Sequence, residues 1–152
     1  MIVSNATPLI YLAKLGRLAL LKDFFQEVII PEEVKREVVD QGKEQNSIDA
    51  FVVEEAIILA VELSSDDILV DQTHARLAAT IFGLKPKGTI YVLLRALKED
   101  LFGYDDYLKL LEDLVRSGFR MSDEVYLEAV RLGKETKTIT DTSKSINNAT
   151  KG

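Results

Sequence analysis

The chain has 152 residues, 47% hydrophobic and 29% charged, enough for one domain to bury a core without staples. It contains no cysteine, which excludes disulfides, thiolate metal sites and thiol nucleophiles. A net charge of −6 excludes a general nucleic-acid binder, because phosphate binding calls for a basic surface. Any contact with RNA must therefore rest on a metal ion or on a small basic patch. No targeting signal is legible at Met1-Ile2-Val3-Ser4, and the longest apolar run, Ala56 to Val61, is far too short to cross a bilayer. The expected compartment is the reducing cytoplasm.

In chain order, Ile2-Val3-Ser4 reads as a short buried strand. Thr7 reads as an N-cap with Pro8 at the first helical position, and Gly16 as the stop of that helix. Leu18 to Phe25 gives a second helix, Val28-Ile29-Ile30 a β-branched strand ended by Pro31, and Glu32 to Val39 a short helix with acids in its first turn. Gln41 to Asn46 is a polar break, and Ser47 opens a longer helix ending near Leu63. Ile68-Leu69-Val70 is a strand, Gln72 to Phe82 a helix stopped by Gly83, and Leu84 to Lys87 a short strand. Gly88-Thr89 leads into a helix through Leu97, and two amphipathic helices follow near Tyr104–Ser117 and Ser122–Leu132. Thr136 to Gly152 is Thr, Ser, Asn and Lys with little to bury. Residues 1–133 are thus expected as one domain and 134–152 as a mobile tail. Short strands alternating with helices predict an α/β fold with a short central parallel sheet flanked by helices.

In open sheets of this kind ligands bind beyond the carboxyl ends of the strands. Asn5 follows the first strand and Asp71 the third, so neighbouring strands would aim both into one crevice. Glu55 falls on the helical face shared by Ile48, Phe51, Val52, Ile58 and Leu59, where a carboxylate needs a partner. Glu37 sits similarly, three residues after Val34 and beside Val38. Each has a plainer reading: Asn5 as a turn residue, Asp71 as an N-cap, Glu37 as a solvated charge, Glu55 as half of an ion pair. Together they suggest oxygen ligands for a hard cation, Mg²⁺ or Mn²⁺ rather than Zn²⁺, with carboxylates converging to within a few ångströms. Such pockets serve phosphoryl-transfer chemistry. His74, the single histidine, reads as a surface residue, and no Gly-rich phosphate loop or RNA-stacking aromatic motif is present.

Five segments resemble the ordered motifs of PIN domains, closest to a VapC-like prokaryotic subfamily. They are Ile2-Val3-Ser4-Asn5-Ala6-Thr7-Pro8-Leu9-Ile10; Val28-Ile29-Ile30-Pro31 with Glu37-Val38-Val39; Glu55-Ala56-Ile57; Ile68-Leu69-Val70-Asp71 with Ala75-Arg76; and Lys87-Gly88-Thr89-Ile90. The resemblance covers roughly Met1 to Leu132. It implies a metal-dependent ribonuclease fold whose acidic quartet is Asn5, Glu37, Glu55 and Asp71. Thr7 would lie near the first ligand, and Gly88 and Thr89 at a helix N-terminus able to receive a phosphate. It also implies a homodimer and, for a toxin, an antitoxin partner. Asn5 stands where most PIN domains carry Asp, and Val52-Val53 where the subfamily often shows Gly-Glu. The resulting expectation is a Mg²⁺- or Mn²⁺-dependent endoribonuclease, with RNA held by Lys85, Lys87 and Arg95. The alternative is a PIN-fold module that binds RNA or a protein partner with weak or no catalysis. Receiver domains and Asp-x-Asp phosphatases need acids that Asn5-Ala6-Thr7 does not supply.

Overall fold

The computed structural model describes residues 1–40 and 50–151. The polar break at Gln41–Asn46 and the helix start at Ser47, with Ile48, lie outside the described residues. The elements run β1 (Ile2–Ser4), α1 (Ala6–Lys14), α2 (Leu20–Phe24), β2 (Val28–Ile29), α3 (Glu32–Asp40), α4 (Ala50–Glu62), β3 (Asp67–Leu69), α5 (Thr73–Ile81), β4 (Lys85–Lys87), α6 (Thr89–Lys98), α7 (Tyr104–Arg116) and α8 (Asp123–Thr150). The fold is α/β, with a four-stranded, all-parallel sheet in the order β2-β1-β3-β4.

A parallel sheet covered on both faces needs strands that are apolar throughout. Ile2, Val3, Ile68 and Leu69 are accordingly fully buried. One core cluster joins Val3, Ile68 and Val70 to Ala56, Ile57 and Ala60 of α4 and to Ala75 and Ala79 of α5. The face expected on α4 is thereby corrected at Ile58, whereas Leu59 packs against the cluster as expected. Among the described side chains of α4 the buried positions are 56, 57 and 60, while Ile58 is exposed and Leu59 half-buried; the side chains of Phe51 and Val52, also expected on that face, lie outside the described residues. The β4 edge is Lys85-Pro86-Lys87. Lys85 N donates to Asp66 O at 2.8 Å and Val70 N to Lys87 O at 2.8 Å, so both flanking residues bond inward and Pro86 turns its missing N–H away from the sheet.

The chain forms two compact units, Met1–Thr89 and Ile90–Gly152, a division that the sequence does not announce between Thr89 and Ile90. In the second unit, Tyr107, Leu110, Leu111 and Leu114 are the buried stripe of α7. Tyr107 donates its hydroxyl to Ala129 O of α8 at 2.7 Å. A Cβ at Gly133 would lie 2.3 Å from Cε1 of that ring, so this helical glycine is a notch for Tyr107.

The segment expected as a tail is helical through Thr150. Thr138, Thr140 and Thr142 donate their hydroxyls to carbonyls four residues back, which satisfies polar side chains within a helix that buries little. Helix α1 also differs from expectation. It begins at Ala6 with Asn5 as N-cap, so Thr7 and Pro8 fall in the first turn, where the orphan N–H positions tolerate proline. The stops at Gly16 and Gly83 have φ of +67° and +80°, the left-handed geometry that glycine adopts without strain.

Candidate active site

Strands β1 and β3 are neighbours, with Ser4 opposite Leu69, and Asn5 N donates to Leu69 O at 2.8 Å. Their carboxyl ends therefore open side by side, where the sequence places Asn5 and Asp71. Asn5 is fully buried. Its Nδ2 donates to Gln72 Oε1 at 3.3 Å, and Gln72 Nε2 donates to Thr7 Oγ1 at 2.7 Å. Asn5 Oδ1 is buried with no hydrogen-bond donor among the described residues. A buried acceptor left in this state costs about 1–3 kcal/mol, which a cation would relieve.

Asp71 does not cap α5, whose N-cap is Gln72. Instead Asp71 Oδ1 accepts from Thr89 N at 2.7 Å and Oδ2 from Thr89 Oγ1 at 2.8 Å. The amide expected to receive a phosphate thus already holds a carboxylate. Gly88 makes the approach possible, since a Cβ there would lie 2.6 Å from Asp71 Oδ1 and 3.2 Å from Arg76 Nη1. Arg76 Nη1 in turn donates to Val70 O at 3.2 Å. Burial pushes the Asp71 carboxyl above its ordinary value, opposed by the two Thr89 hydrogen bonds and by Arg76.

Glu37 is half-buried on α3 with its Oε2 shut off from solvent, and Glu55 is half-buried on α4. Helix α3 packs against both α1 and α4. Among the described residues, however, no group of three or more His, Asp or Glu side chains is gathered closely enough to hold a metal ion. Glu37, Glu55 and Asp71 are thus not gathered into such a group of three. Like charges repel at short range, and Asp71 is drawn to Thr89. The oxygen donors at Asn5 and Asp71 fit a hard cation in type; Glu37 and Glu55 do not complete a group of three with Asp71.

Of the expected cations, Lys85 is exposed, Lys87 pairs with Asp67 at 3.2 Å, and Arg95 pairs with Glu99 at 3.0 Å on its own helix. His74 is exposed on α5. Two residues of the site carried no functional signal in the sequence: Gln72, and Arg76 beyond its place in a motif. Gln72 could have been found only by knowing that β1 and β3 pair.

A family model described as a PIN domain matches residues 1–56 and 52–135. The chain belongs to the PIN-domain family. PIN domains are generally nucleases, typically with divalent metal ions, and membership suggests nuclease-type action on nucleic acid. No curated protein and no solved structure matches the chain. Among the described residues, no helix of this PIN protein is long and apolar enough to cross a membrane.

Proposed function

We propose that this PIN protein is a Mg²⁺- or Mn²⁺-dependent endoribonuclease of the VapC-like kind, the cytoplasmic toxin of a pair held in check by an antitoxin, and a homodimer. The observation that carries the metal reading is the buried Oδ1 of Asn5, without a donor among the described residues, at the strand end beside the one that carries Asp71. Asn5 and Asp71 hold the ion in this reading, and Glu37 on α3 and Glu55 on α4 add negative charge without being gathered as ligands. When bound, the ion neutralises charge on the scissile phosphate and activates water. Thr89 orients Asp71 directly, Thr7 acts on Asn5 only through Gln72, Gly88 keeps the approach to Asp71 open, and Lys85 offers the phosphate backbone an exposed cation.

Titration of Mn²⁺ into the wild type, Asn5→Asp and Asp71→Ala tests this reading. An amide brings no charge to a cation, so Asn5→Asp should bind about tenfold tighter, roughly 1.4 kcal/mol. Asp71→Ala should abolish binding, and RNA cleavage should follow the same order. Absence of Mn²⁺ binding in all three overturns the nuclease reading.

The second reading is a PIN-fold module that binds RNA or a protein without cutting. It is favoured by Asn5 in place of Asp and by the engagement of both Asp71 oxygens with Thr89. RNA binding without metal, unchanged in Asp71→Ala, would establish it.

A further inference from the structure

We infer that Gln72 is a positioning residue that fixes which end of the Asn5 amide faces the metal position; the inference rests on the reading of Asn5 as a ligand. A carboxylate has two equivalent oxygens and needs no orientation. An amide presents an acceptor at one end and a donor at the other, and its donor end repels a cation. A chain with Asn at this ligand position therefore needs a group that captures Nδ2. Gln72 Oε1 does so at 3.3 Å, which turns Oδ1 to the opposite side, where it is buried with no donor among the described residues.

Gln72 is itself held. Its Nε2 donates to Thr7 Oγ1 at 2.7 Å, so its own acceptor end points at Asn5. The side chain is not spent on the helix it begins, since as N-cap of α5 it makes no side-chain cap hydrogen bond. The three side chains form one chain of bonds, Asn5 to Gln72 to Thr7, that joins the end of β1 and the start of α1 to the start of α5.

The test compares Gln72→Leu and Gln72→Glu in two backgrounds, wild type and Asn5→Asp, with two readouts. The metal-free readout is solvent exchange of the Asn5 side-chain NH₂ protons by nuclear magnetic resonance. Exchange should be slow in the wild type, accelerate in Gln72→Leu and stay slow in Gln72→Glu, which keeps an acceptor for Nδ2. The second readout is Mn²⁺ affinity by calorimetry. Gln72→Leu should weaken it about tenfold with Asn5 in place, the usual effect of losing a residue that orients a ligand. In the Asn5→Asp background the same change should move affinity less than about twofold, because the carboxylate has no wrong end. Equal loss in both backgrounds, or Asn5 exchange indifferent to Gln72→Leu, overturns the positioning role. Exchange that responds as expected in a wild type that binds no Mn²⁺ leaves the orientation of Asn5 by Gln72 standing and overturns the ligand reading instead.

Discussion

Asp71 carries opposing demands at a single residue. Burial favours its neutral form, whereas Thr89 and Arg76 favour the charged one, and burial wins. A carboxyl raised on folding holds its proton more tightly folded than unfolded. Folding stability therefore falls as pH climbs from the ordinary carboxylate range through the folded value. Asp71→Asn removes this loss and keeps both contacts, with Oδ1 accepting from the Thr89 amide and Nδ2 donating to the Thr89 hydroxyl. Calorimetric unfolding should show the variant gaining on the wild type between pH 4 and pH 8, with its largest advantage at the alkaline end. A smaller advantage at pH 8 than at pH 4 would mean that Thr89 and Arg76 outweigh burial. Gly88→Ala should act on the same contacts by steric means, because its methyl would meet Asp71 Oδ1 at 2.6 Å. The expected cost is about 1–3 kcal/mol of stability in denaturant unfolding, the range for overpacking a tight site.

Among the elements, α8 depends on one notch. Gly133→Ala adds helix propensity of about 1 kcal/mol but forces a methyl against the Tyr107 ring, an overpacking cost of about 3 kcal/mol. The net expectation is a loss of about 2 kcal/mol in denaturant unfolding; a gain would show that the ring can move aside. Nothing in the local sequence marks Gly133 as a packing glycine, since its partner lies on another helix. The alternation of strands and helices is legible because short apolar runs such as Ile2-Val3 and Ile68-Leu69 and 3.6-residue periodicity are local signals. Where the reading failed, the deciding contact was distant. Asp71 reads locally as a cap for α5, but its bonds go to Thr89. Thr7 reads locally as a cap for α1, but its hydroxyl serves Gln72. The face chosen on α4 included Ile58 because only the sheet beneath decides which side of an apolar helix is buried. Thr136 to Thr150 reads as a tail by composition, yet back-bonded hydroxyls and the absence of proline let the helix continue.

For the whole molecule, assembly is argued from exposed apolar surface. The apolar helices between Leu9 and Phe25 offer little of it, with Leu9, Leu12, Leu20, Leu21, Phe24 and Phe25 all buried. Ile58 and Val61 on α4 and Ile81 and Phe82 at the end of α5 are exposed instead. If the proposed homodimer uses this face, light scattering should give a dimer mass for the wild type. Phe82→Glu should then weaken the dimer roughly thirtyfold, the ~2 kcal/mol of an interface hot spot. A wild-type monomer across a wide concentration range defeats the proposal. Charge sets a second whole-molecule expectation. In a chain of net −6, Lys85→Ala should reduce the salt slope of RNA binding by about one unit. The margins of the sheet bear on how such a chain survives crowding. At β4 the outward-facing backbone belongs to Pro86, which has no N–H to offer, and the opposite margin, β2, is two residues long with Pro31 two positions beyond it. An incoming strand finds almost nothing to zip onto at either side, so misfolded copies cannot use the native sheet as a seed for cross-β growth.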